Sequence, residues 1–146
     1  MNEYTKRRNL NRGYMKLEVW NNGIELFQFC FNLTNKIHNL DFKLKSQILD
    51  SGQSISLNIA EGYCRKSLNE YLNFLNISLG SAGELLTRVI GLREAGLLSE
   101  KDFNEFDIRN YEIENKLLAL VKALQTKQLD NNWDQKIHEP DPEYTP

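Results

Sequence analysis

The chain has 146 residues, 40% of them hydrophobic and 26% charged, with a net charge of −2. A domain of this size buries a sizeable core without disulfides or metal, and the balance is that of a soluble globular protein. No apolar run is long enough to span a bilayer and the polar first residues lack the apolar core of a secretory signal, so a cytosolic protein is expected, neither secreted nor membrane-bound.

The chain opens on a basic arm. Within residues 1–16, Lys6, Arg7, Arg8, Arg12 and Lys16 stand against Glu3, a net +4. Such an arm can contact phosphate, and it can equally pair with an acidic tail, its own or a neighbour's. From there the pattern is helical. The three prolines, Pro140, Pro142 and Pro146, leave the first 139 residues without a proline break, which favours long helices.

The first helix is predicted over residues 17–37, with Leu17, Trp20, Ile24, Phe27 and Phe31 stepping by three and four as a core-facing stripe. Gly23 inside it costs about 1 kcal/mol against alanine, so packing has to hold this helix. Residues 38–42 read as a short connection. The second helix is predicted over 43–64, with Leu44, Ile48, Ser51, Gly52, Ile55 and Ile59 on one face. The small residues along it permit close approach of a neighbour.

Ser67 followed by Glu70 has the spacing of a capping box and marks the start of a third helix. Tyr71, Leu75, Ser78, Ala82, Leu85, Val89 and Leu92 then alternate steps of four and three as a sustained seam. Leu72, Leu79 and Leu86 form a second stripe beside it, which can be buried against another subunit. Gly96 suits a left-handed cap. Ser99 opens a fourth helix with the seam Phe103, Phe106, Asn110, Ile113, Leu117, Leu120 and Leu124. Asn110 either fixes register as a buried polar group or faces outward near a less crowded end.

Beyond 128 the pattern stops. Residues 129–146 carry Lys136 against Asp130, Asp134, Glu139, Asp141 and Glu143, a net −4, and read as a flexible acidic tail. Trp133 and Ile137 within it could dock on a groove in cis or on a partner. Four helices with short connections make an all-α, antiparallel up-and-down four-helix bundle, over residues 17–128, the expected fold.

Catalytic chemistry is poorly represented. His38 and His138 have no helical partner among His, Asp or Glu four residues on, and no Glu-x-x-His pair of the di-iron bundles occurs. No phosphate-binding glycine loop is present. Cys30 and Cys64 are isolated, without zinc-site spacing. No catalytic residue, metal site or cofactor is expected, and the chain reads as a non-enzyme.

Two polar segments draw the eye instead. In 54–65, Asn58, Glu61 and Arg65 share one side of a helix, ahead of Gly62 near its end. They read as a surface ion pair, as a knot bonding the backbone of adjoining turns at a bundle end, or as part of a subunit or ligand interface. In 80–84, Gly80, Ser81 and Gly83 interrupt a strong seam, which suggests close approach of another helix, and Glu84 can reach Arg88.

These residues carry a resemblance. Asn58-Ile59-Ala60-Glu61-Gly62 with Arg65, then Glu70-Tyr71-Leu72-Asn73-Phe74-Leu75, then Gly80-Ser81 with Glu84, and the opening Leu17-Glu18-Val19-Trp20, resemble the four helix bundle protein family founded on proteins encoded by intervening sequences of bacterial 23S ribosomal RNA genes. The resemblance spans residues 15 to 125. It implies an antiparallel four-helix bundle assembled into a homopentameric ring. It also implies kinship with the accessory variability factor of diversity-generating retroelements, which binds a reverse transcriptase and nucleic acid through a basic ring. The implied function is therefore a non-enzymatic oligomeric accessory protein, binding a reverse transcriptase or other nucleic-acid enzyme and its RNA or DNA. The sequence departs from the family where it usually has two arginines, here Leu49-Asp50, and where it usually has proline, here Ser56. Losing two cations weakens phosphate binding by the bundle face. That moves the expected contact to Lys6, Arg7, Arg8, Arg12 and Lys16, and keeps a purely protein-binding oligomer as the alternative.

Overall fold

The computed structural model describes residues 12–130. Lys6, Arg7 and Arg8 of the basic arm, and Trp133 and Ile137 of the expected tail, lie outside the described residues. A 3-10 turn, Gly13–Lys16, leads into four helices: α1 (Glu18–Lys36), α2 (Phe42–Tyr63), α3 (Leu68–Glu94) and α4 (Glu100–Leu129). No strand occurs among the described residues.

Local chemistry sets each boundary. The Asp41 side chain accepts from the Leu44 N–H, Ser67 from Glu70 N–H and Ser99 from Asp102 N–H, so α2, α3 and α4 each begin on a side-chain cap. At the end of α3, Gly96 has φ +77°. Its N–H donates to the Arg93 carbonyl and the Leu97 N–H to the Leu92 carbonyl, the paired bonds of a Schellman turn.

Each helix packs antiparallel to its sequence neighbour, and α4 returns to α1. Thus Ser56 donates to the Trp20 carbonyl across α1–α2, and Ser78 to the Ile55 carbonyl across α2–α3. Asn110 donates to the Ala82 carbonyl across α3–α4, and Lys36 pairs with Asp102 across α1–α4. One core runs the length of the bundle.

The predicted seams of α3 and α4 are both buried throughout. Asn110 is fully enclosed, which decides between its two readings in favour of burial. The stripe assigned to α1 needs correction. Of Leu17, Trp20, Ile24, Phe27 and Phe31, only Leu17 is buried, and it stands just before the helix. The face that enters the core is Val19, Gly23, Leu26, Cys30 and Leu33. The reason is the approach of α2. A Cβ on Gly23 would run into the Ser56 hydroxyl, so the two helices pack closely at the glycine. The bulky stripe would hold the two helices apart. On α2, Leu44 is likewise exposed, while Ile48, Ser51, Gly52, Ile55 and Ile59 are buried as predicted. Leu72, Leu79 and Leu86 are half-buried against the chain's own core, so much of that second stripe is already used.

Candidate interaction surfaces

Several motif residues of α2 and α3 lie along the contact between those two helices. Asn58 donates to the carbonyl and the hydroxyl of Ser54, both at 2.8 Å, and Ser54 Oγ lies 2.8 Å from Ser81 Oγ. Asn58 and Ser81 are therefore tied into one polar chain. Asn58 bonds its own helix, not an adjoining turn as one reading expected. Gly62 is a close crossing: a Cβ there would lie 2.7 Å from Phe74 Cβ and 3.2 Å from the Tyr71 carbonyl. Arg65 pairs with Glu61 at 2.8 Å and spreads over the Phe74 ring at 4.9 Å. Both partners of that pair are exposed, so it contributes a few tenths of a kcal/mol.

At the other end of the contact, Arg88 pairs with Glu84 at 2.9 Å and donates to Gln47 at 3.0 Å. These groups, with Asp50, line an open cleft of about 290 Å³. The expected close approach at Gly80 and Gly83 is not found: a Cβ at either would meet nothing within 4 Å. Position in the seam misled here, because Ser81 and Ala82 take the buried side of that turn and both glycines point outward.

The second feature is apolar. The displaced α1 stripe forms one wall of a groove of about 430 Å³, with Trp20, Ile24 and Phe27 facing Leu57 and Ala60 of α2 and Tyr14 at the end. Ile24 and Phe31 are each 45% exposed and Leu57 59%. These side chains leave apolar surface open to solvent along α1 and α2. The stripe is plain in the sequence. What misdirected its assignment was a second, less bulky stripe one residue earlier in phase.

The root of the basic arm is anchored beside this groove. Tyr14 packs edge-on against Trp20 at 5.6 Å and Tyr63 at 6.2 Å, and Tyr63 against Tyr71 at 5.9 Å. Asn21 donates to the Met15 and Leu17 carbonyls, stitching the 3-10 turn to α1. Arg12 and Lys16, at the two ends of the turn, are exposed.

Sequence reading missed Lys116. Its side chain is only 7% exposed, and its ammonium meets Glu18 at 2.7 Å, Glu112 at 3.1 Å and Asn22 Oδ1 at 2.7 Å. Burial pulls its pKa down, but the hydrogen bonds to Glu18 and Glu112 outweigh this and hold it above the ordinary lysine value. The Glu112–Lys116 spacing was the available signal; the α1 partners were not legible. Burial also pushes the Cys30 thiol up to about 12, leaving it an unreactive core residue. Among the described residues no cluster of His, Cys, Asp and Glu is placed to hold a metal, and no helix is long and apolar enough to cross a membrane.

Fold and surface together define a helical-bundle protein in which Ser54, Gly62, Ser81 and Arg88 lie where α2 meets α3, and whose open feature is an apolar groove. The sequence profile of the 23S rRNA-intervening sequence protein family matches residues 15–119. The chain belongs to that family. A search of curated proteins finds no match.

Proposed function

We propose that the chain is a non-enzymatic accessory protein that assembles with copies of itself and presents the assembly to a partner. The partner on this reading is a reverse transcriptase or other nucleic-acid enzyme, with its RNA or DNA, as resemblance to the retroelement accessory factor implies. The ring size implied by the resemblance is five. The observation that carries the reading is the α1–α2 groove, where Ile24 and Leu57, with Phe31 beyond its end, stay open to solvent in the single chain. Covering apolar surface of this kind drives protein association. Light scattering on the full chain at micromolar concentration is expected to give the mass of a multimer. A monomer there overturns the reading.

Nucleic acid, on this reading, meets the end of the bundle where Arg12 and Lys16 flank the anchored turn. Replacing Lys6, Arg7, Arg8, Arg12 and Lys16 by glutamine keeps the turn's packing and removes the charge. Binding of the native chain to a structured RNA is expected to fall steeply with salt, and to be lost in the variant. No binding by the native chain at low salt sinks this part. A second reading, a purely protein-binding oligomer, is favoured by the α2–α3 cleft. There Asp50 and Glu84 face the solvent and Arg88 is already engaged by Glu84 and Gln47, a poor setting for phosphate. It expects no RNA binding under any of these conditions, with the multimer intact.

A further inference from the structure

Helix α4 carries a second apolar stripe, away from its core seam. Ile108, Tyr111 and Leu118 are 69%, 62% and 53% exposed. Positions 108, 111 and 118 recur on one helical face, with Asn115 between them. This face and the α1–α2 groove are separate surfaces, since the groove is lined from α1, α2 and the 3-10 turn alone.

Their heights along the bundle agree. The register of α4 on α1 is fixed at three points: Lys36 with Asp102, Phe29 under the Arg109 guanidinium, and Asn22 with Lys116. Both helices advance seven residues between these points, in opposite directions. Tyr111 is therefore level with Phe27, Leu118 with Trp20, and Ile108 with the turn that holds Phe31. At 1.5 Å rise per residue the α4 stripe spans about 15 Å and the α1 stripe from Trp20 to Phe31 about 16 Å. The charges also match. Ile108 and Tyr111 are bordered by Glu105 and Glu112 on one side and by Asp107 and Glu114 on the other. Beyond the groove, at the level of Phe31, α2 carries two lysines: Lys43 is exposed, and Lys45 sits over the Phe31 ring at 5.7 Å.

We propose that the occupant of the α1–α2 groove is the outer face of α4 of a second copy of this chain. The inference rests on the self-assembly reading above and names its interface. A copy turned about an axis along the bundle keeps its helices at the same height. It then brings Tyr111 against Phe27 and Leu118 against Trp20, with the acidic border of α4 meeting Lys43 and Lys45. Because the two faces differ, the contact is head-to-tail. A pair so formed has one stripe and one groove still to satisfy, so association continues beyond the dimer.

Head-to-tail contact has a signature that a self-complementary one lacks. Ile24→Asp spoils the groove and leaves the stripe. Ile108→Asp spoils the stripe and leaves the groove. Both side chains are largely exposed, so both variants are expected to keep the native circular dichroism; Leu57→Asp and Leu118→Asp are the substitutes if either does not. Each variant alone is expected to sediment as a monomer. Mixed in equal amounts, the stripe of the first fills the groove of the second, giving a dimer and nothing larger. Variants that retain the native mass, or a mixture that stays monomeric, overturn the proposed interface while a multimeric native chain keeps the self-assembly reading. A monomeric native chain overturns both.

Discussion

Lys116 and Asn110 show how differently two buried polar groups are held. Lys116 lays its alkyl stem along the α1–α4 contact, while its ammonium reaches carboxylates that are themselves largely in water. Lys116→Met keeps the stem and removes the charge. Solvent screening of Glu18 and Glu112 limits the loss to about 1 kcal/mol, read from urea unfolding. A lysine whose folded pKa is raised stabilises fully below its unfolded value, and loses that contribution as pH rises through the folded one. The difference between native and Lys116→Met should therefore be flat at neutral pH and close only above pH 10.5. Asn110 donates to the Ala82 carbonyl at 3.2 Å and to Glu114 at 2.7 Å, while its own oxygen has no partner. Asn110→Asp would place a charge in that enclosed position beside Glu114, at a cost of about 3 kcal/mol at neutral pH, partly recovered on acidification. Glu114 itself has its pKa raised, first by burial and then by Asp107. Protonated it is the more stable partner, so its stabilising share is lost as pH rises from 4.5 through the folded value. Glu114→Gln should accordingly raise the unfolding midpoint at pH 7, with the gain vanishing in acid.

At the scale of the helix, glycines divide into two kinds that look alike in sequence. Gly62 sits where α3 crosses, and the atoms a Cβ would meet, Phe74 Cβ and the Tyr71 carbonyl, are fixed to the backbone. Gly62→Ala should force the helices apart and cost about 1–3 kcal/mol. Gly80 and Gly83 face open space in the interior of α3. Gly80→Ala and Gly83→Ala should each stabilise by about 0.5–1 kcal/mol through the lost freedom of the unfolded chain. Denaturant midpoints of the three variants test this directly, and a loss at Gly80 in the assembled protein would mean that a neighbouring chain covers it. The helix boundaries themselves were legible, because Ser67 and Ser99 act over three residues and the turn at Gly96 over three to five. The identity of the buried face of α1 was not. Two apolar stripes share that helix, and periodicity ranks them by bulk, whereas burial selected the one that admits α2 at Gly23.

For the whole molecule, the displaced α1 stripe becomes the prediction. A multimer that buries the α1–α2 groove gains stability from mass action, so its unfolding temperature should rise with protein concentration. That dependence should disappear in Ile24→Asp, whose substitution lies in the groove and outside the core. The same logic separates the signature motif from assembly. Asn58, Glu61, Arg65, Ser81 and Glu84 all find partners within the chain, and Asn58 holds the Ser54 hydroxyl that meets Ser81, so replacing Asn58 by alanine should loosen the α2–α3 contact and leave multimer mass unchanged.

The sequence alone determined that this chain folds as four helices, where they start and stop, and which faces of α3 and α4 are buried. Those facts follow from caps and from periodicity, which act within a few residues. Tertiary structure decided which of two stripes on α1 enters the core, that Lys116 joins α4 to α1, and that Gly80 and Gly83 stand open. Each depends on how near a second helix comes. That distance is set by residues far apart in the chain, such as Gly23 and Ser56.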